Sequence, residues 1–235
     1  MTKSKILKDT LLSLCAKGKN LGLPNKHFKK LKKKNLIEIA IRKAKQTKID
    51  YICFSTDSVK IYKLAKKKKI KFAYNRNKLL SKSNIPKRDV WVDSIKNSEK
   101  FYKKNFKYIL DIEITNPLLN IKDLNKFINQ FSKIYKKYDG MFCMTSSRKS
   151  PYFNILKKKR NGYEIFVNNS KNIYSRQKAP NTYEHVAGFY YFKTKYILKN
   201  RNIFNGKTFG FKIPLIKSFD IDSDEDFNLT KLLIK

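Results

Sequence analysis

The chain has 235 residues, a formal net charge of +37 and a hydrophobic fraction of 41% that includes 17 Phe and 14 Tyr. This composition can bury a core, which excludes a disordered basic tail. It contains no run of 18 apolar residues, so we expect no membrane span and no membrane partner. The apolar run before residue 15 is too short for a signal peptide. Cys15, Cys53 and Cys143 are odd in number and lack metal-ligand spacing, which favours a reducing, cytoplasmic setting.

Strand and helix patterns alternate along the chain. Short apolar runs predict strands at 10–15, 51–54, 70–74, 108–114, 141–144, 186–192 and 213–221, and helical periodicity predicts helices at 36–44, 61–65, 90–102 and 121–135 and a short one at the end. Asn35 and Asn120 are the expected N-caps of two of these helices. The alternation predicts an α/β fold with a mostly parallel sheet and helices on both faces. Ligands of such sheets bind at the carboxyl ends of the strands.

The alternation breaks after the fifth predicted strand. Two β-like runs, 152–156 and 163–167, flank the Asn161-Gly162 dipeptide, which is a strong hairpin signal. We therefore expect residues 1–235 to form a single domain from which an arm at about residues 146–184 projects. The arm is interpreted as a flap or a dimerisation arm.

The high positive charge has two interpretations, a nucleic-acid partner or a solvated surface. Only 7 of the 55 basic residues are Arg, the residue that reads bases and binds phosphates bidentately. The lysines are spread along the whole chain, and the abundance of Asn, Ile, Phe and Tyr is typical of an A/T-rich coding sequence. We therefore expect no nucleic-acid partner, and a surface potential that attracts anionic substrates such as nucleotides.

The loop after the first predicted strand, residues 16–26, contains two glycines and three lysines, Lys17, Lys19 and Lys26. Glycines let the backbone approach a ligand closely, and backbone N–H groups together with ammonium groups suit a triphosphate. The order of the residues is not that of a Walker A loop. The alternative is an ordinary strand-to-helix loop in a lysine-rich protein.

Acidic residues number only 18, and five of them lie between Asp220 and Asp226. On a strand, Asp220 and Asp222 would share a face, and two carboxylates plus substrate phosphates are a usual way to hold Mg²⁺. The other three acidic residues fit a structural role, because Ser223 and Asp226 resemble a capping box. We therefore expect Asp220 and Asp222 to be metal ligands.

Asp111 and Glu113 form another pair of alternating carboxylates, in an otherwise apolar predicted strand. A charge there costs free energy unless it is paired or faces a cleft, so these residues either contribute to a site or form a structural ion pair. His27 and His185 lack the spacing of a catalytic or metal-binding pair. We expect both to be ordinary residues, although His27 lies beside the first loop.

Taken in order, these segments resemble the acylneuraminate cytidylyltransferase family. The matching segments are 16–27, 55–57, Arg76, 111–119, 150–154, 175–180 and 218–227. The last of them, S-F-D-I-D-S-D-E-D-F, is the strongest single match. The resemblance implies a Rossmann-like nucleotidyltransferase fold, a requirement for Mg²⁺, and a homodimer in which the arm reaches the partner's active site. The implied reaction joins CTP to a nonulosonic, sialic-acid-like sugar acid and gives the CMP-sugar and pyrophosphate.

The resemblance also implies roles for individual residues. Nucleotide-binding candidates are Ala16, Lys17, Gly18, Asn20, Lys26, His27, Arg76 and Lys87; sugar-binding candidates are Glu113, Asn116, Arg176 and Gln177; catalytic candidates are Lys17, Lys26 and Arg176; metal ligands are Asp220 and Asp222. Phosphoryl transfer needs positioning and charge neutralisation more than covalent help, and these residue types supply both.

Several positions depart from the family pattern: Lys17 replaces Arg, Leu21 replaces Lys, His27 replaces Asn, Leu119 replaces Arg and Val186 replaces Asn. Lys17 keeps the charge of Arg but not its bidentate fork. Asp111 and Glu113 are closer to the legionaminate-like branch than to the sialic acid enzymes. Two alternatives stay open, a related enzyme for a deoxy-octulosonate sugar acid and a catalytically inactive nucleotide- or nucleic-acid-binding module.

Overall fold

A computed structural model describes residues 2–20, 22–167, 173, 175 and 177–234. The strands are β1 (Thr10–Ala16), β2 (Lys30–Leu31), β3 (Lys34–Asn35), β4 (Tyr51–Thr56), β5 (Phe72–Asn75), β6 (Tyr108–Ile112), β7 (Gly140–Ser146), β8 (Leu156–Lys159), β9 (Gly162–Ile165), β10 (Tyr183–Lys193) and β11 (Thr208–Lys212). The α-helices are α1 (Lys3–Lys8), α2 (Leu36–Lys45), α3 (Val59–Lys67), α4 (Lys87–Tyr102), α5 (Ile121–Ile134), α6 (Thr194–Lys199) and α7 (Asp224–Leu233). Short 3₁₀ turns span Lys26–Phe28, Lys78–Ser81 and Leu215–Lys217.

A seven-stranded sheet in the order β11-β7-β10-β6-β1-β4-β5 forms the centre of the fold. The pairs β1/β4, β1/β6, β4/β5 and β7/β11 are parallel, and β10 runs antiparallel to both β6 and β7. The predicted α/β architecture with a mostly parallel sheet is confirmed. Because β6, β1, β4 and β5 run in one direction, the loops that follow them lie at one edge of the sheet.

Helices cover both faces of the sheet because alternate residues of each buried strand point to opposite sides. Leu12 and Leu110 belong to the core cluster that contains the apolar sides of α2 and α5. Leu11 and Ile109 belong to a second cluster on the other face, with Trp91 of α4 and the apolar side of α6. Each such buried side chain contributes roughly 1.5–3 kcal/mol to the stability of the fold. This two-sided core fixes the edge at which the site is built.

Side chains at the helix starts determine where three helices begin. Asn35 and Asn120, the expected caps of α2 and α5, each accept a bond from a first-turn N–H, and the carboxylate three positions on accepts a bond from the backbone N–H of the cap residue. Ser223 and Asp226 form the same capping box at the start of α7. The structural interpretation of that part of the acidic cluster is therefore confirmed.

The predicted strand at 213–221 is wrong. The last strand is β11, and the chain then passes through Pro214 into a 3₁₀ turn. Proline has no N–H to donate and is excluded from the middle of a paired strand, so the ladder ends where Ile213 N–H donates to β7. Asp220 and Asp222 consequently lie on an irregular segment, where the sequence predicted a strand.

The predicted hairpin is confirmed, with different bounds. β8 and β9 pair antiparallel around Arg160 and Asn161 and form a two-stranded sheet separate from the central one. The run predicted at 152–156 is instead a turn as far as Asn154, because the Ser150 carbonyl accepts bonds from three successive N–H groups. The role of this hairpin in dimerisation stays a prediction.

The three cysteines are free thiols, as the sequence predicts. Cys53 of β4 and Cys143 of β7 are buried, and Cys15 is partly exposed at the end of β1. Within the described ranges, no helix is long and apolar enough to cross a membrane.

We expect Asn120→Ala to lower the free energy of unfolding by about 1 kcal/mol, because the first turn of α5 loses the side-chain acceptor for the N–H groups of Lys122 and Asp123. Asn125→Ala, the same substitution at an exposed position inside α5, is the matched control. Urea unfolding curves of both variants measure the difference. An equal loss of stability in the two variants would contradict the capping role.

Candidate active site

A cleft of about 520 Å³ lies at the carboxyl edge of β6, β1, β4 and β5. Nine residues predicted for the site line it: Lys17, Asn20, Lys26, His27, Arg76, Lys87, Glu113, Asp220 and Asp222. They come from the first loop, the segments after β5 and β6, the start of α4 and the approach to α7. Residues 195 positions apart in the sequence are in contact here. The cleft occupies the edge at which open α/β sheets bind ligands.

Asp57 links the first loop to the segment after β5. Its Oδ1 accepts a hydrogen bond from Gly18 N–H at 2.8 Å and lies 3.9 Å from the guanidinium of Arg76. Arg76 is buried, and its Nε donates to Ser81 Oγ at 2.9 Å. In the described chain, Gly18 and the buried Ala16 do not line the cleft. They set the course of the loop, and Asp57 holds that loop against Arg76.

Three further candidates lie away from the cleft lining or outside the described ranges. Asn116 is buried, and its Nδ2 donates to the carbonyls of Ala187 and Lys217, both at 3.1 Å. This amide ties β10 to the segment that precedes the acidic pair. Gln177 is exposed in the arm, and Arg176 lies outside the described residues.

The first loop packs closely against the segment that precedes α7. A Cβ atom on Gly22 would lie 2.3 Å from the Asp222 carbonyl oxygen, so the close approach requires glycine. Beside it, the Lys26 ammonium donates to the Ile221 carbonyl at 2.8 Å and to Asp222 Oδ1 at 2.7 Å. The loop and the acidic segment therefore form one continuous wall of the cleft.

His27 is buried at the base of this wall, with its Nδ1 3.4 Å from Asn20 Nδ2. Burial lowers the pKa of His27 to about 4, and the positive charge of Lys26 acts in the same direction. The imidazole is therefore neutral at pH 7 and contributes no charge to the loop. The positive charges that line this side of the cleft are those of Lys17, Lys19 and Lys26.

Asp220 and Asp222 both reach the cleft even though they do not lie on a strand. Asp220 Oδ1 is buried and has no hydrogen-bond partner within the described chain. Burial, and then the negative charge of Glu113, raise the pKa of Asp220 to about 6. A buried carboxylate oxygen without a partner, next to a second carboxylate, is a donor set that a hard divalent cation satisfies. The two residues therefore fit Mg²⁺.

The remaining ligands of such a cation would come from substrate phosphates and water. Across the described ranges, no group of three or more His, Cys, Asp or Glu is placed to hold a metal ion. Mg²⁺ typically binds one or two carboxylates together with substrate phosphates and water. The Asp220 and Asp222 carboxylates thus suit an ion that is bound together with a polyphosphate.

Lys87 forms an ion pair with both Asp111 and Glu113. Its ammonium lies 2.7 Å from Asp111 Oδ2 and also donates to Glu113 Oε2. Burial raises the pKa of Asp111. Burial alone would raise the pKa of Glu113 as well, but the Lys87 charge outweighs it and lowers that pKa. The structure therefore supports the interpretation of Asp111 and Glu113 as members of a structural ion pair, and it also places Glu113 in the cleft lining.

A second cavity of about 290 Å³ adjoins the cleft, and the sequence did not predict it. Its lining includes Arg88, Trp91, His185, Tyr190 and Arg201. These residues come from α4, from β10 and from the segment after α6. The sequence offered no signal for it, because the lining residues are scattered and follow no motif.

Lys43 is a buried charged residue near the site that sequence reasoning missed. It lies on α2, is buried, and its ammonium donates to the carbonyls of Asn116 and Leu119 at 3.2 and 2.9 Å. Burial lowers the pKa of Lys43 to about 8. This lysine fixes the turn after β6, the turn that carries Thr115 in the cleft lining. Its position on the apolar side of a predicted amphipathic helix was the available signal.

The fold and the site define a nucleotidyltransferase. A sequence model of the cytidylyltransferase family matches residues 16–233, from the first loop to the last helix. The chain therefore belongs to the cytidylyltransferase family.

Two relatives from Campylobacter are similar to the chain over almost their full lengths. Post-translational flagellin modification protein B of Campylobacter coli is 29% identical over 230 residues, which cover 97% of this chain and 96% of the relative. CMP-N,N'-diacetyllegionaminic acid synthase of Campylobacter jejuni is 29% identical over 227 residues, which cover 96% of this chain and 95% of the relative.

Solved nucleotidyltransferases share the fold. The structure of CMP:2-keto-3-deoxy-manno-octonic acid synthetase complexed with CTP has a TM-score of 0.66 at 11% identity and covers 95% of this chain and 97% of its own. A 4-diphosphocytidyl-2C-methyl-D-erythritol synthase has a TM-score of 0.67 at 10% identity, and the match covers 97% of this chain and 99% of that synthase. These likenesses confirm the Rossmann-like nucleotidyltransferase fold.

We expect His27 to make the stability of the protein depend on pH. The folded-state pKa is about 4 and the unfolded value is about 6.5, so the unfolded chain binds a proton first as the pH falls. The free energy of unfolding should therefore drop by about 2 kcal/mol between pH 7.5 and pH 5 through this residue. Urea unfolding of wild type and His27→Asn at both pH values isolates the effect. A variant with the same pH slope as wild type would contradict it.

Proposed function

We propose that the protein activates a nonulosonic, legionaminic-acid-like sugar acid with CTP and releases the CMP-sugar and pyrophosphate. The observation that carries the proposal is the meeting of the lysine-bearing first loop with the Asp220 and Asp222 carboxylates in one cleft. A triphosphate requires cationic and N–H donors, and its metal ion requires carboxylates. The name of the Campylobacter jejuni relative supports the class of sugar.

The nucleotide side of the cleft consists of the first loop and Arg76. Lys17 and Lys19 bring two positive charges to the lining, and the buried Arg76 guanidinium lines the same cleft next to Asp57. We assign the triphosphate to these charges and the adjoining Asn20. Because the Lys26 ammonium neutralises the Asp222 carboxylate, the positive charges of Lys17 and Lys19 remain available to attract a polyanion.

In the proposed reaction the anomeric hydroxyl oxygen of the sugar acid attacks the α-phosphorus of CTP. The bond between the α-phosphorus and its bridging oxygen breaks, pyrophosphate leaves with the electron pair, and the hydroxyl proton passes to water. The chain contributes orientation and fixed charges rather than a covalent intermediate. Lys17 and Lys26 are proposed to stabilise charge on the phosphates, and Arg176 of the arm is proposed to join them.

Asp220 and Asp222 are proposed to hold Mg²⁺ together with the triphosphate. The bound ion supplies charge neutralisation at the α-phosphate and at the departing pyrophosphate. The Lys26 ammonium keeps Asp222 in place through a direct ion pair. The assignment is supported by Asp220 Oδ1, which is buried and has no hydrogen-bond partner among the residues that the structure describes.

The sugar acid is proposed to lie on the Glu113 side of the cleft. Glu113 is proposed to accept hydrogen bonds from the sugar's hydroxyl groups, and Arg176 and Gln177 are proposed to contact the acidic sugar. Asn116 acts indirectly, because its amide holds the backbone beside Thr115 and β10.

We also propose that the arm at about residues 146–184, part of the single domain 1–235, joins two copies of the chain. Large apolar side chains are exposed on and beside the hairpin: Ile155, Leu156, Tyr163, Phe166 and Tyr183. Tyr163 is 69% exposed and Phe166 56%, which is unfavourable unless another surface covers them.

The free cysteines support a reducing, cytoplasmic setting for this dimer.

The proposed function is tested by pyrophosphate release from CTP and Mg²⁺ with a panel of sugar acids that includes legionaminic, pseudaminic, sialic and deoxy-octulosonic acids. We expect chelator-sensitive release with a nonulosonic acid. Release with the deoxy-octulosonic acid alone would instead establish the related enzyme. CTP binding without release from any sugar acid would indicate a catalytically inactive module.

We expect Asp222→Ala to lower kcat/KM by about 100-fold or more, because the metal loses a ligand. Asp224→Ala is the matched control. Asp224 is also exposed and also pairs with a lysine, Lys29, but it does not line the cleft. Its kcat/KM should stay within about threefold of wild type. Equal kcat/KM values in the two variants would contradict the metal assignment.

We expect wild type to scatter light with a mass twice that of one chain at micromolar concentration. The pair of substitutions Tyr163→Glu and Phe166→Glu should give a monomer, because a charge at each position opposes burial in an interface. Leu232→Glu, at an exposed position on α7, is the control and should stay dimeric. A monomeric wild type would contradict the arm's role.

A further inference from the structure

Lys87 is, in the described part of the chain, the one residue that lines both the cleft and the second cavity. It is the first residue of α4, and its ammonium reaches the carboxylates of Asp111 and Glu113. The rings of Trp91 and Tyr190, which line the second cavity, have their centroids 5.8 and 5.0 Å from the same ammonium. Where the two cavities meet, the shared lining residue is therefore an ammonium group that forms ion pairs with two carboxylates.

The three charges constrain one another because they lie in a confined space. The Asp111 side chain is 1% exposed and that of Glu113 is 17% exposed. Without Lys87, two adjacent carboxylates would repel each other in a poorly solvated environment, and one of them would take up a proton or move away. With Lys87 present, Glu113 keeps its charge and a defined position in the cleft.

This pairing also bears on what Lys87 can bind. An ammonium held by two carboxylates belongs to a group with a net negative charge when both are ionised, and such a group does not attract a phosphate. The cleft instead gains an acceptor, because Glu113 has a second oxygen, Oε1, whose hydrogen bond from Thr115 Oγ1 is long, at 3.4 Å. The geometry therefore favours a hydrogen-bond donor as the ligand here rather than the nucleotide phosphates.

We propose that Lys87 is a positioning residue that holds the Glu113 carboxylate as a fixed acceptor for a hydroxyl or amide N–H of the sugar acid, where the cleft meets the second cavity. The inference rests on the proposed function, and it replaces the nucleotide contact that the family resemblance implied for Lys87. It predicts that the sugar acid, but not CTP, is recognised through Lys87.

The test compares Lys87→Met, Lys87→Arg, Asp111→Asn and the double variant Lys87→Met/Asp111→Asn. The double variant is included because loss of Asp111's charge removes the repulsion that could unfold Lys87→Met. We expect the KM for the sugar acid to rise at least 10-fold in Lys87→Met and in the double variant. Lys87→Arg should recover most of the loss. The Kd of CTP should stay within twofold of wild type in all four.

Two kinetic results would overturn the proposal. A double variant with the KM of the Asp111→Asn control would mean that Lys87 only neutralises Asp111. A Kd of CTP that rises in step with the KM for the sugar acid would mean that Lys87 binds the nucleotide.

A spectroscopic measurement makes the test independent of turnover, so that failure of this proposal can be distinguished from failure of the proposed function. The ¹³C carboxyl signal of Glu113 is followed with pH in the double variant and in Asp111→Asn. The other titratable groups that act on Glu113 are the same in both proteins: Lys26, His27, Lys43, His185, Tyr190 and Asp220. The titration midpoint of Glu113 should be at least about one pH unit higher without Lys87. An unchanged midpoint would overturn the proposal even if no sugar acid were turned over.

Discussion

The contact between the first loop and the segment before α7 is the interaction on which the cleft depends. Ile221 donates its N–H to the Thr115 carbonyl after β6, and its own carbonyl accepts from the Lys26 ammonium. One residue thereby joins the two ends of the chain at the edge of the sheet. Without this contact, the Asp220 and Asp222 carboxylates would have no fixed position relative to the loop that faces them.

Paired charges give the cleft its rigidity. Asp57 holds the first loop against Arg76, and Lys87 binds Asp111 and Glu113 together. A charge that is partly removed from water is costly unless a partner compensates it, and removal of one partner is more costly than the absence of both. Such a network holds its members in place before the substrate arrives. Preorganised charge of this kind is what phosphoryl transfer requires of a protein.

The sequence predicted the central sheet because buried parallel strands are apolar on both faces and therefore form recognisable runs. The same criterion failed at 213–221, where an apolar run includes Pro214, and helical periodicity could not detect the six-residue helices α1 and α6. The acidic pair was predicted on a strand that does not exist, yet its side chains do reach the cleft. The roles of Lys43 and Lys87 were harder to assign, because in a chain so rich in lysine the partners that define these roles become visible in the structure.

We propose that the first loop and the acidic pair form a single site for a nucleoside triphosphate and its metal ion. A crystal structure of the protein with CTP and Mg²⁺ tests it most directly. We expect the triphosphate to lie between Lys17 and the Asp220/Asp222 pair, with the ion bound to at least one of these carboxylates. A triphosphate in the second cavity, or an ion that touches neither carboxylate, would contradict it.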